Sequence, residues 1–137
     1  MRTFILTIIL LTAFIIVGTI ESGDSPTEQD IQDYIQHCGI EHPEIVFKQI
    51  ILETDHMTSR LYREDHNLFG MKYAYSRPTT AIDRNRNRTA VYYSWKHSII
   101  DYKLWQDKYY KGGDYYKFLS RIYAEDPVYT RKLRGVK

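Results

Sequence analysis

The segment from Pro43 to Met57 constrains the fold more than any other part of the sequence. Its apolar side chains cover most of the circumference of a helix: Ile45, Val46, Phe47, Ile50, Ile51 and Leu52. A helix that is apolar on nearly every side must be surrounded by protein, so we expect it to be the central, buried helix. Glu53 interrupts this apolar surface, because it shares one helical face with Val46, Ile50 and Met57.

Glu53 has two possible roles on that face. Burial disfavours the ionised carboxylate and raises its pKa, which keeps the group protonated as a general acid must be. Alternatively, a glutamate near a helix end could extend to solvent or pair with a lysine or arginine, which is a structural role. The spacing alone leaves both roles open.

The rest of the pattern predicts a mainly helical domain with one irregular β-hairpin lobe. Gly39 ends the first helix, and the segment from Tyr73 to Tyr93 has no helical period but contains the strand-like run Thr89–Tyr93. Capping residues and prolines indicate where the helices begin. The expected starts are the Ser25–Glu28 capping box, Pro43, Ser59, Ser94, Asp114 and Asp126-Pro127.

Charge and cysteine content exclude several classes of protein. The chain has 19 Lys and Arg residues against 17 Asp and Glu residues, and a net charge of +2 does not indicate a nucleic-acid-binding protein. A single cysteine cannot form an internal disulfide or a four-thiolate zinc site, and the five histidines show no metal-binding spacing. The fold must therefore rest on ordinary packing. We also expect the protein to be a monomer without metal or cofactor.

The first 23 residues have the composition of a targeting segment. Arg2 is followed by the uncharged stretch Thr3–Ile20, which is the pattern of a secretory signal peptide. The same stretch lies at the lower edge of the length that can span a membrane. We predict a signal peptide or an N-terminal membrane anchor over residues 1–23 and one domain over residues 24–137. The domain would be exported to the periplasm, cell envelope or extracellular space, with anchoring in the inner membrane as the alternative.

Five short motifs follow one another along the chain. They are Ile51-Leu52-Glu53-Thr54, Ser59-Arg60-Leu61, Asn67-Leu68-Phe69-Gly70-Met71-Lys72, Tyr92-x-Ser94-Trp95-x-x-Ser98-Ile99-x-Asp101-Tyr102 and Tyr123-Ala124-Glu125-Asp126-Pro127-x-Tyr129. In this order they resemble the N-acetylglucosaminidase family of bacterial peptidoglycan hydrolases. The resemblance implies an α+β, mainly α, lysozyme-like fold, in which helices surround a central helix and a small β-hairpin lobe lies across a cleft.

The resemblance also implies roles for individual side chains. Glu53 matches the family's general acid, which protonates the glycosidic oxygen. Asn67 and Phe69 match the block that shapes the cleft floor, and Tyr123 matches a tyrosine that faces the acid and the substrate. We count these three residues and Tyr92 as substrate-binding. The structural alternatives are a turn-forming amide for Asn67 and core packing for the aromatic rings.

The second catalytic group is less well defined. Asp83 is the only acidic residue between Tyr73 and Trp95, and the neighbouring arginines favour its charged form. It could activate water or stabilise positive charge as a second catalytic residue. It could also be a solvated turn residue, in which case the substrate's own acetamide would take this role.

The predicted function is that of an endo-β-N-acetylglucosaminidase, a glycoside hydrolase that cleaves β-1,4 bonds in the glycan strands of peptidoglycan. A lytic transglycosylase on the same fold and a non-catalytic cell-wall-binding module are the alternatives. The family resemblance implies no metal or cofactor.

Overall fold

A computed structural model describes residues 25–123 and 125–137 of the chain. The predicted leader over residues 1–23 lies outside the described residues. The elements are α1 (Glu28–His37), α2 (Pro43–Glu53), α3 (Arg60–Asp65), β1 (Asp83–Arg84), β2 (Ala90–Val91), α4 (Trp95–Tyr109), α5 (Tyr115–Ile122) and α6 (Tyr129–Arg134). None of the described helices combines the length and the apolar character needed to cross a membrane.

Helix α2 is the buried central helix that the sequence predicts. It packs against both α1 and α6, and its fully buried residues are Val46, Gln49, Ile50 and Ile51. The remaining core comes from α1, from Tyr62 of α3, from Leu68 and Phe69 in the loop after it, and from α4, α5 and α6, which supply most of its tyrosines. With its small antiparallel sheet and its central helix α2, the fold is α+β and mainly α, as the predicted lysozyme-like arrangement requires.

Helix α2 ends at Glu53, so its predicted extension to Met57 is wrong. The buried Thr54 side chain ends it, because its hydroxyl donates to the carbonyl of Ile50 at 2.6 Å and accepts from the N–H of Met57 at 2.9 Å. Asp55, His56 and Met57 then adopt left-handed backbone angles, with φ between 48° and 65°. Met57 thus reaches the core through a turn and not along the helix.

The capping residues at the other helix starts are partly as predicted. Ser59 accepts the N–H of Tyr62 at 3.2 Å, and Asp114 accepts the N–H of Lys117 at 3.1 Å. The first capping box is not at Ser25. It is formed by Thr27, which accepts the N–H of Asp30 while the Asp30 carboxylate accepts the N–H of Thr27.

The last helix begins at Tyr129, later than the predicted start at Asp126-Pro127. The carboxylate of Asp126 accepts the N–H of Val128 at 3.1 Å, which makes this segment a turn before the helix.

The β-hairpin lobe is present but its strands are short. Asp83 pairs with Val91 and Arg84 pairs with Ala90 in an antiparallel register, so the second strand is shorter than the predicted run Thr89–Tyr93. One further bridge joins Lys72 to Thr89.

A buried ion pair fixes the lobe to α4. The guanidinium of Arg77 donates to both carboxylate oxygens of Asp101, at 2.6 and 3.2 Å, and the two side chains are 5% and 0% exposed. The hydroxyl of Tyr92 donates to the same carboxylate at 2.6 Å. Residues from both ends of the lobe therefore converge on one acidic side chain of α4.

Candidate active site

Glu53 lies at the C-terminal end of α2, where the structure gives it a largely buried carboxyl group. Burial raises its pKa, as the sequence predicts, and the hydroxyl of Tyr129 opposes this effect through hydrogen bonding. The last turn of α2 contains no basic residue. Because the C-terminal end of a helix carries partial negative charge, this position also favours the neutral acid.

Gly70 brings the loop between α3 and the lobe directly against this carboxyl group. Its φ of +65° is in the left-handed region, and a Cβ atom at this position would lie 3.3 Å from Oε2 of Glu53. Glycine thus provides both the backbone conformation and the space that the acid occupies.

Asn67 holds this loop in place. Its buried amide donates to the carbonyls of Met71 and Ala90, at 3.0 and 2.8 Å, and its oxygen accepts the N–H groups of Phe69 and Met71. All the hydrogen-bonding atoms of the side chain have protein partners, so Asn67 shapes the loop beside Glu53. Its direct contact with substrate stays a prediction.

Phe69 and Tyr92 lie in the interior. Phe69 is 2% exposed and stacks on Tyr102 with ring centroids 4.2 Å apart. Tyr92 is 1% exposed and donates to Asp101. A sugar could reach either ring only if the surrounding lobe moved, and their role in substrate binding stays a prediction.

Tyr123 lies next to the acid and stacks on Tyr129. The two ring centroids are 4.1 Å apart and the rings are nearly parallel. Burial raises the pKa of Tyr123, and the nearby charge of Glu53 adds to this effect. Sequence reasoning did not single out Tyr129, whose only signal was its place as the last residue of the C-terminal motif.

A cavity of about 550 Å³ opens beside this group, a size common for small-molecule sites. One wall is the backbone and side chains of residues 70–77. The opposite wall consists of Tyr102, Trp105, Tyr109, Ile122 and Tyr123. Glu53 lies at the edge of the cavity, against the lining residue Gly70, and does not itself form part of the wall.

Asp83 lies apart from this cavity. It is exposed on β1, and its carboxylate accepts the N–H of Arg84 at 2.7 Å. The structure thus brings Glu53 and Tyr123 together at the cleft and does not bring Asp83 into its wall. Over residues 25–123 and 125–137, no group of three or more His, Cys, Asp or Glu side chains is arranged to hold a metal ion.

Comparison with known proteins gives two matches. The family model described as Mannosyl-glycoprotein endo-beta-N-acetylglucosaminidase matches residues 28–137. The structure is similar to the catalytic domain of the autolysin Auto from Listeria monocytogenes, with a TM-score of 0.55, 22% sequence identity, and coverage of 85% of this chain and 86% of that one. No curated protein matches. The structural likeness supports the fold, and the family match covers nearly all the described residues, so the chain belongs to the glucosaminidase family.

Proposed function

We propose that this protein is a peptidoglycan hydrolase that cleaves the β-1,4 bond after N-acetylglucosamine. The observation that carries the proposal is the largely buried carboxyl group of Glu53, held against Gly70 at the edge of an aromatic cleft. Family membership supports an N-acetylglucosamine-containing substrate. The shared fold with an autolysin catalytic domain supports the cell wall as its source.

In the proposed reaction, protonated Glu53 donates its proton to the glycosidic oxygen. The bond between that oxygen and the anomeric carbon breaks, and positive charge develops on the sugar ring. Because Asp83 lies outside the cavity wall, we assign the stabilisation of this charge to the substrate's own acetamide. Water then adds to the anomeric carbon, and its proton returns to the Glu53 carboxylate.

The aromatic wall of the cleft supports a carbohydrate ligand. Trp105 is partly buried at the core edge and Tyr109 is exposed, and both line the cavity opposite the loop that contains Tyr73 and Tyr75. Such rings combine a large apolar face with a polar edge. We propose that pyranose rings stack on these faces while Tyr123 contacts the sugar next to the acid.

Among residues 25–123 and 125–137, Glu53 is the one acid found at the cleft, and this also favours a second candidate, a lytic transglycosylase. Such an enzyme needs an acid but no water, because the substrate's own hydroxyl closes an anhydro ring. Mass spectrometry of the products distinguishes the two, since the anhydro product has one water less than the hydrolysis product.

Peptidoglycan lies outside the cytoplasm, and this location supports the export predicted from residues 1–23. We propose that the leader delivers the domain to the cell envelope. Fractionation of cells that make the full chain tests this, because a cytoplasmic protein could not reach the proposed substrate.

The test of the reaction compares two conservative variants on helix α2. Glu53→Gln removes the proton donor and is expected to reduce the release of new glycan ends by about 10²–10⁴-fold. Glu44→Gln makes the same change at an exposed position in the first turn of the helix and is the matched control. More than about a tenth of the wild-type rate in Glu53→Gln would contradict general acid catalysis by this residue. Binding to the cell wall without any release of ends would show a non-catalytic module.

A further inference from the structure

A chain of hydrogen-bonded side chains crosses the core from the α1–α2 loop to Tyr129, which lies near the candidate acid. Its members are buried and come from α4, α5, α2 and α6: Gln106, Tyr115, Tyr102, Gln49 and Tyr129. The distances between successive members are 2.9, 2.6, 2.5 and 3.2 Å. Because each hydroxyl or amide in such a chain constrains its neighbour, the direction of donation can be followed from one end to the other.

The direction is set at Gln106 by the backbone of Glu41. Oε1 of Gln106 accepts the N–H of Glu41 at 2.8 Å, and Nε2 donates to the carbonyl of the same residue at 3.0 Å. The opposite amide orientation would place two donors together and two acceptors together. The second Nε2 hydrogen of Gln106 is therefore donated to the hydroxyl of Tyr115.

The two buried tyrosines continue this direction. The Tyr115 oxygen accepts from Gln106, so its own proton is available for Tyr102, the other partner of this hydroxyl. Tyr102 then donates its proton to Oε1 of Gln49. In the reverse arrangement the Tyr115 proton would face the amide group of Gln106 and would lack an acceptor in the core, which is unfavourable.

Gln49 continues the same direction of hydrogen-bond donation to Tyr129, the residue beside Glu53. With its oxygen facing Tyr102, its amide nitrogen donates to the hydroxyl oxygen of Tyr129. Glu53 lies one turn beyond Gln49 on the same face of α2, so the Tyr129 hydroxyl that contacts Gln49 lies beside the acid. Its proton can be donated to Glu53 or to the neighbouring Tyr123. We propose that the chain holds the Tyr129 hydroxyl as a donor toward Glu53, so that Gln106, Tyr102 and Gln49 are positioning residues for the acid. This inference rests on the proposed function, in which Glu53 protonates the leaving group.

The groups around Glu53 are consistent with a hydrogen-bond donor at Tyr129. Titratable groups act on the carboxyl group from two elements, Tyr129 on α6 and Tyr123 at the end of α5, and the loop on the opposite side presents uncharged Gly70. Burial raises the pKa of Glu53, and hydrogen bonding by Tyr129 lowers it. The chain would therefore make Glu53 a stronger acid than burial alone allows, and would stabilise the carboxylate left after proton transfer.

A titration of Glu53 in the full-length protein tests the inference directly. Carbon-13 NMR of labelled glutamate carboxyl groups reports its pKa, with Glu53→Gln identifying the signal. Tyr129→Phe is expected to raise the pKa by about 1. Tyr102→Phe is expected to raise it by a smaller amount, because the Gln49 amide can then turn over and present its oxygen to Tyr129.

A double variant and a matched control make the test specific. Once Tyr129→Phe is present, adding Tyr102→Phe should have no further effect, since in the proposed chain its influence reaches Glu53 through the Tyr129 hydroxyl. Tyr110→Phe makes the same chemical change in the same aromatic cluster, but the Tyr110 hydroxyl donates to the carbonyl of Gly113 and is not a member of the hydrogen-bonded chain. It should leave the pKa of Glu53 unchanged.

The failure of this inference can be told apart from failure of the proposed function. If Tyr102→Phe leaves the pKa unchanged, or if its effect adds to that of Tyr129→Phe, the oriented chain is refuted even when Glu53→Gln is inactive. If Glu53→Gln keeps its activity, the proposed function is refuted whatever the titration shows. Should Tyr102→Phe not fold, Gln106→Met removes the donor that sets the direction. It must then give a rise in pKa, and an unchanged pKa overturns the inference.

Discussion

Replacing Gly70 by alanine would place a methyl group against the candidate acid. The new Cβ atom would lie 3.3 Å from Oε2 of Glu53, which is closer than an ordinary contact between carbon and oxygen. Either the carboxyl group or the loop must then move by a few tenths of an ångström. The backbone at this position also has a φ of +65°, which an alanine adopts only with strain.

The expected effects on stability and on activity have separate causes. The left-handed conformation costs about 1–2 kcal/mol for a non-glycine residue, and the stiffer unfolded chain of the alanine variant returns about 0.4–1 kcal/mol. We therefore expect a net loss of about 1 kcal/mol in the free energy of unfolding. A displacement of 1 Å at a reacting group can cost about 100-fold in rate, so a few tenths of an ångström correspond to about 3- to 10-fold in kcat/KM.

Gly39 supplies a matched control, because its φ is +66° and a Cβ atom there would have no neighbour within 4 Å. Urea unfolding of Gly70→Ala and Gly39→Ala should give similar losses of stability. Release of glycan ends should fall in Gly70→Ala alone. Equal activity of the two variants would refute the close contact between Gly70 and the carboxyl group of Glu53.

Three further predictions follow from the geometry. Asp83→Asn should slow the reaction much less than Glu53→Gln, measured as initial rates on peptidoglycan; an equally inactive variant would make Asp83 an obligatory base. Arg77→Met should lower the free energy of unfolding, measured in urea, by about 3–5 kcal/mol, because it leaves the buried Asp101 carboxylate without an opposite charge. Lys103→Met, which breaks a more exposed pair with Asp107, should cost less than about 1 kcal/mol in the same titration. The folded protein raises the pKa of Glu53 above its ordinary value of 4.5, so ionisation of this residue opposes folding. The free energy of unfolding of the wild type should therefore fall relative to that of Glu53→Gln as the pH rises from 4.5 through the raised pKa. Below pH 4.5 this pH-dependent loss should be absent. A stability difference independent of pH would contradict burial of the carboxyl group.

The sequence could predict the central helix and its acid because both depend on local spacing. Apolar residues around most of the circumference of 43–53 require burial, and an acidic residue such as Glu53 on that apolar face is unusual. The end of the helix was not predictable in this way. It depends on how the Thr54 hydroxyl bonds the backbone, and on left-handed turn residues that are not glycine.

Contacts between residues far apart in sequence could not be predicted from the spacing of apolar and polar residues either. Arg77 and Asp101 are far apart in sequence, and neither lies in a spacing that indicates an ion pair. Tyr129 fits a core position on a short helix equally well, so only its neighbours Gln49, Tyr123 and Glu53 reveal that it belongs to the site. Such pairings depend on tertiary packing, and the periodicity of apolar residues in the sequence does not indicate which elements pack together.

The ion pair between Arg77 and Asp101 determines how the molecule should unfold. A sheet of two-residue strands has little stability of its own, so the lobe would open locally if it were attached only by its chain ends. Arg77 and Tyr92 of the lobe are buried against α4, where both bind Asp101. Opening the lobe would therefore leave the carboxylate of Asp101 without its positive partner, which is unfavourable. The lobe and α4 should therefore form one cooperative unit, with slow amide hydrogen exchange at Ala90 and Tyr92 as well as in the helix. A population of molecules that retain the helices but lack one wall of the cleft would then be negligible.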